Sequence, residues 1–156
     1  MWEDIMKKTI LILTGIFLVA GFLTAPLYAT GTADEAKALV EKAVAYYKAN
    51  GKDKAIAAFN DPKGEFVQGD LYIFMMDENC NTLAHGANAK LVGKNVAELK
   101  DADGKLFMKE MAEMAKKGGG WVDYKWSNPA TKKVQAKSSY ILPLESGLFV
   151  GCGIYK

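Results

Sequence analysis

Residues Gly120–Leu144 read GWVDYKWSNPATKKVQAKSSYILPL, two runs rich in aromatic and β-branched residues on either side of Ser127-Asn-Pro-Ala-Thr-Lys132. Runs of this composition flanking a cluster of turn residues predict a β-hairpin. A hairpin so rich in rings must lie in a sheet with a second layer over it, which excludes an all-helical chain. The hairpin gathers Trp121, Trp126, Tyr124, Tyr140 and Lys137. Rings beside a cation on a rigid sheet are suited to holding a small polar ligand, because rings bury area cheaply and the charge fixes orientation. The same rings serve equally well as sheet core, so residue types alone leave both readings open.

The period changes along the chain. Asp34–Gly51 has acids in its first turn, an Asn-Gly stop, and Leu39, Ala43, Tyr46 and Tyr47 at helical spacing, which predicts an amphipathic helix. A shorter helix is expected from Asp53 as N-cap through Phe59, ended by Asn60-Asp-Pro-Lys-Gly64. Asp70–Asp77 is a nearly continuous apolar run suited to a buried strand, with Glu78–Asn81 as its turn and Thr82–His85 returning beside it. A short helical piece around Val96–Leu99 and a helix over Lys105–Lys117 come before the aromatic hairpin, and Gly147–Tyr155 is the final strand. The fold class is therefore α+β: an antiparallel five-stranded sheet with a long N-terminal helix and short helices packed on it.

Ahead of this domain, residues 1–29 carry Lys7 and Lys8, an apolar run from Thr9 to Ala25, and then small residues. That is the pattern of an export signal, with cleavage expected after Ala29 and, second, after Ala33. The same run is about long enough to stay as an uncleaved anchor, which would leave the domain inner-membrane anchored rather than periplasmic or secreted. Residues 30–156 are too few for more than one domain.

Every one of the 20 basic residues is lysine, against 18 acids. Near-neutral, interspersed charge argues against nucleic acid. Without arginine there is no planar fork for an anion, so an anion would be held by a lysine point charge, hydroxyls and backbone amides. Cys80 and Cys152 fit no zinc or haem spacing; an oxidising compartment permits them to pair, and two free buried thiols are the other reading. Cys80 with His85 is the one nucleophile and base combination, with no oxyanion group or third partner evident, so no catalytic residue, metal or cofactor is expected.

Taken together, Ala36-x-x-Leu-Val-x-x-Ala-Val-x-Tyr-Tyr-x-x-Asn-Gly51, Leu71-Tyr-Ile-Phe74, Leu83-Ala-His-Gly86 and Leu91-Val-Gly-Lys-Asn95 form a recognisable series. It continues with Asp101-x-Asp-Gly104, Gly120-Trp-Val-x-Tyr-x-Trp-x-Asn-Pro129, Lys137-x-Ser-Tyr140 and Gly151-x-Gly-Ile-Tyr155. Over residues 34–155 the chain resembles the single Cache domain of bacterial extracytoplasmic sensors, whose sheet is PAS-like. The resemblance implies a pocket for a small molecule, often a short carboxylate. As the sequence ends at Lys156, it also implies a separate membrane sensor kinase or chemoreceptor as partner. A PAS-like order with the first and last strands side by side and running the same way would bring Cys80 and Cys152 together, so the resemblance implies a disulfide.

Within the implied pocket Lys137 is the expected cation for a carboxylate, because a lysine among rings is costly without a partner. Tyr124, Tyr140, Trp121 and Trp126 would supply walls and hydroxyls, and His85 a further donor or a pH-sensitive group. Period-two alternation sets Trp121 against Tyr124 and Lys137 against Tyr140, so at least one of the four rings is expected to be core. Gly151 and Gly153, on one face of the last strand with Phe149 and Tyr155, predict a close approach to that face.

Overall fold

The computed structural model describes residues 30–156. The export segment expected at residues 1–29 lies outside the described residues. Helix α1 (Ala33–Asn50) starts from a capping box: the Thr32 hydroxyl accepts from the Glu35 amide at 3.3 Å, and the Glu35 carboxylate accepts from the Thr32 amide at 2.8 Å. Gly51, with φ 79°, ends α1 and serves as the N-cap of α2 (Lys52–Phe59), a turn that favours glycine. Asp53, expected as that N-cap, sits inside the first turn instead.

Strands β1 (Val67–Gln68) and β2 (Leu71–Tyr72) form a two-stranded ribbon, and β3 (Phe74–Asp77) follows directly. The run expected as one strand is broken at Ile73, whose amide donates to the Phe66 carbonyl at 3.1 Å while its carbonyl accepts from Gly86 at 3.0 Å. Strand β4 (Thr82–His85) pairs with β3, and helix α3 (Phe107–Lys116) leads to β5 (Gly120–Ser127), β6 (Val134–Pro143) and β7 (Leu148–Tyr155). The main sheet has the order β4-β3-β7-β6-β5, every pair antiparallel, as the α+β reading expected. A one-turn 3-10 helix lies at Ala89–Leu91, and the helix expected at Val96–Leu99 is only a turn closed by Leu99 on Val96.

Alternation along the strands gives the sheet two apolar faces. Ile73, Met75, Val150 and Cys152 face α1 and α2, meeting Leu39, Val40, Ala43 and Phe59. Phe74, Met76, Val122, Tyr124, Ile141 and Phe149 face α3, meeting Phe107, Met108 and Met111. Each large side chain buried this way contributes roughly 1.5–3 kcal/mol. At Gly151 a Cβ would collide with the Phe74 ring and Ile141, so only glycine lets that face close.

The strand geometry overturns the disulfide. β3 and β7 run antiparallel, with Phe74 opposite Gly151 and Asp77 opposite Leu148. Cys152 therefore lies level with the start of β3 while Cys80 lies beyond its end, a separation of at least about 13 Å at 3.3 Å per residue, far over the limit for a bridge. Both thiols are free and buried. Cys80 holds a left-handed turn position, φ 61°, and its thiol donates to the Met108 carbonyl at 3.5 Å. Among the described residues no helix is long and apolar enough to cross a membrane.

Candidate functional site

Lys137 stands near the middle of β6, opposite Tyr124 on β5 and Tyr155 on β7. Its side chain does not rise toward α3. It lies across β7 at Gly153, where a Cβ would collide with Lys137 Cε and Ser139 Oγ. The missing side chain at Gly153 is what allows the ammonium to reach the far side of β7. There Nζ donates to the Tyr72 hydroxyl at 2.6 Å and to the Tyr155 hydroxyl at 3.3 Å, with the two ring centroids 4.0 and 4.5 Å away.

The residue is 1% exposed, and none of the ion pairs among the described residues includes it. Two hydroxyls and two ring faces soften the loss of water but do not neutralise a positive charge. Burial accordingly pulls the Lys137 pKa down to about 7. An ammonium has three protons to donate and finds two acceptors here. The Tyr155 hydroxyl in turn donates to the Ser127 carbonyl at 3.0 Å, so the network ends at the base of the β5–β6 loop.

Beside this network is a hollow of about 210 Å³ lined by Tyr72, His85, Ala87, Asn88, Trp126, Ser127, Pro129 and Lys132. His85 is 5% exposed and tilts against Tyr72 with ring centroids 4.9 Å apart. Its Nδ1 accepts from the amides of Asn88 at 3.0 Å and Ala87 at 3.3 Å, which places the proton of the neutral ring on Nε2. Burial, then the charge of Lys137, pushes its pKa down to about 4, so His85 is a neutral donor near pH 7. Asn60, just after α2, fixes the strand end by accepting from the His85 amide at 3.0 Å. The loop over the hollow is closed by Asn128, whose Oδ1 accepts from Ala130 at 2.8 Å. Lys132 reaches the loop's end in a left-handed conformation, φ 59°.

The predicted residues separate by face. Lys137, His85 and Trp126 gather at or beside the hollow, with Lys137 just behind the Tyr72 wall rather than in the lining. Tyr124 shares their face but is core: it stacks on Phe107 at 4.4 Å, and its hydroxyl lies 2.9 Å from Ser139 Oγ. Trp121 and Tyr140 are opposite one another on the other face, ring centroids 5.3 Å apart, against the α1 side. Alternation set Trp121 against Tyr124 and Tyr140 against Lys137, and the hairpin register, which puts Trp121 opposite Tyr140, removes both from the hollow. Tyr72 and Tyr155 are the residues that sequence reasoning missed. Tyr72 looked like one more member of a buried run, and its hydroxyl was the sole sign of a polar partner. Among the described residues no three His, Cys, Asp or Glu side chains gather to hold a metal.

Comparison with known proteins agrees with this architecture. Residues 27–156 match the family model described as Single Cache domain 2. A stretch of 87 residues, 55% of the chain, is 34% identical to the sensor histidine kinase MctS of Rhizobium johnstonii, covering 19% of that protein. A stretch of 88 residues is 32% identical to the methyl-accepting chemotaxis protein McpP of Pseudomonas putida, covering 16% of it. The chain thus spans only a small part of the length of these relatives. A methyl-accepting chemotaxis protein structure from Vibrio parahaemolyticus superposes with TM-score 0.68 at 27% identity, covering 78% of this chain and 86% of that one. A Cache chemosensory domain described for carboxylic acid recognition superposes with TM-score 0.59 at 24% identity, over 76% of this chain and 84% of that one, a likeness of fold.

Proposed function

Because the chain belongs to the Single Cache domain 2 family, we propose that it is an extracytoplasmic sensor-type domain that binds a small organic anion, a short carboxylate, in the hollow between Tyr72, His85 and Trp126. The observation that carries the reading is the ammonium of Lys137, buried with two hydroxyl partners and no carboxylate at ion-pair distance among the described residues. A buried charge left this way is costly, and an entering anion would offset that cost. Lys137 donates to the Tyr72 oxygen, and the Tyr72 proton, whose partner is the Tyr155 oxygen at 3.4 Å, would turn to donate to a ligand carboxylate in the hollow. His85 Nε2–H is a second donor, and the Trp126 and Tyr72 rings supply apolar wall.

As partner we assign a membrane sensor kinase or chemoreceptor, since the relatives named above are of those two kinds. The domain would work on the periplasmic side or outside the cell. A purely structural module, the other reading from sequence, gives no reason for a buried Lys137 ammonium that has only hydroxyl partners.

Isothermal titration against a panel of short carboxylates and amino acids tests the proposal. At least one carboxylate is expected to bind, with affinity at least tenfold weaker in Tyr72→Phe and unchanged in Tyr140→Phe, which lies on the opposite face. No heat from any carboxylate, or equal loss in both variants, would remove the ligand claim.

A further inference from the structure

Asp70 is the buried acid that nothing in the proposed site uses. It is 5% exposed, and its Oδ1 accepts from the Gly31 amide at 2.9 Å. Its Oδ2 is buried with no hydrogen-bond partner, and no ion pair among the described residues includes it. The nearby Lys137, Cys152 and Tyr155 all feel its charge, but the Lys137 ammonium, held by Tyr72 and Tyr155, is not at ion-pair distance from it. A carboxylate oxygen buried without a donor is destabilising, because it has given up water and gained nothing in return. It therefore marks a cation that the described residues do not provide as they stand.

The entry of the chain into the domain lies beside it. Gly31 packs so closely on Leu71 that a Cβ would collide with that side chain, and Thr32 forms the α1 capping box with Glu35 through its hydroxyl and its amide. Residues 31 and 32 are thus built into the fold. Removal of residues up to Ala33, the second cleavage choice, would delete the Gly31–Asp70 bond and the cap together. The Ala29–Thr30 bond follows a small residue and spares both. The nitrogen of Thr30 is one residue from that of Gly31, at most about 3.6 Å of chain.

We propose that the chain is cut between Ala29 and Thr30, and that the α-ammonium freed on Thr30 pairs with the second carboxylate oxygen of Asp70. The cut is a hydrolysis by an export peptidase that reads small residues. Water adds across the amide, its hydroxyl going to the Ala29 carbonyl carbon and a proton to the Thr30 nitrogen. At neutral pH the new acid gives up a proton and the new amine takes one, with no change of oxidation state. The freed nitrogen has three protons, a positive charge, and a torsion no longer tied upstream. It can then turn toward Oδ2 while Gly31 keeps its bond to Oδ1. The mature N-terminus becomes a structural ion pair.

Export of the full chain followed by intact-mass measurement tests the cut: a protein beginning at Thr30 is expected, and one beginning at Asp34 or retaining residues 1–29 overturns the proposal. The pairing is tested on the exported protein with one glycine inserted after Ala29, alone and together with Asp70→Asn. Asparagine keeps an acceptor for Gly31, and the insertion falls ahead of every described element, so all forms should fold. The insertion is expected to lower the melting temperature by roughly 3 °C in the Asp70 protein and to leave it unchanged in the D70N background. An equal shift in both backgrounds, or none in either, overturns the pairing. Neither measurement involves the carboxylate ligand, so the result stands apart from the sensor reading.

Discussion

The stem of Lys137 fills the space that a side chain at Gly153 would need, so the position of the ammonium is set by an absent Cβ on the neighbouring strand. Gly153→Ala is expected to push that stem away from Tyr72. Overpacking of this kind costs about 1–3 kcal/mol, measurable by urea unfolding. Carboxylate affinity should fall with it, by at least tenfold. Lost stability with unchanged affinity would separate Lys137 from binding.

A second expectation concerns pH. The pKa of Lys137 is held down to about 7 in the folded protein against 10.5 for the free group. The unfolded chain therefore binds more protons between those values, and stability should rise as pH goes from about 7 toward 10.5. His85, lowered from 6.5 to about 4, has the same sign, so stability should be lost as pH falls through that lower window. Lys137→Met should flatten the upper slope and stabilise the protein below pH 7, because an unneutralised buried charge is removed. Anion affinity of the unmutated protein should weaken above about pH 7, by up to about tenfold per unit, as the lysine loses its proton. Urea unfolding and calorimetric titration over pH 5–10 check both.

A third expectation follows from the cysteines. The Cys152 thiol is pushed up to about 11 by burial, and that of Cys80 is also raised, first by burial and then by Asp77. Both should stay reduced and react with a thiol reagent only when the protein opens. Protein purified without reductant is expected to keep two titratable thiols in denaturant and to show almost none in native buffer. A mass two protons lower, with no thiols in denaturant, would mean the pair had formed.

Much of the architecture was legible from the chain alone. The helical spacing of Leu39, Ala43 and Tyr47, the glycines closing α1 and α3, and the aromatic hairpin each have a local cause, and local causes can be read. Alternation also sets Trp121 against Tyr124 and Tyr140 against Lys137, while which of them share a face depends on the hairpin register. The relative direction of strands distant in sequence was not legible, and the cysteine pairing failed on that point. Tyr72 stayed hidden for a related reason: its partner Lys137 is 65 positions away, brought near by pairing that no local pattern encodes. Tyr124 was misplaced because a hydroxyl on a sheet face looks the same in sequence whether α3 covers it or not.

Strand β7, last in the order, occupies the centre of the sheet and is the one link between the β3–β4 hairpin and the β5–β6 hairpin. During synthesis the two hairpins have no shared partner until that strand emerges and inserts between them. Tyr72 precedes the first hairpin and Lys137 lies in the second, so their bond belongs to the late, slow part of folding, where distant segments must find each other. A half-made chain would own every residue around the hollow up to Lys137 and still have nothing with which to recognise an anion.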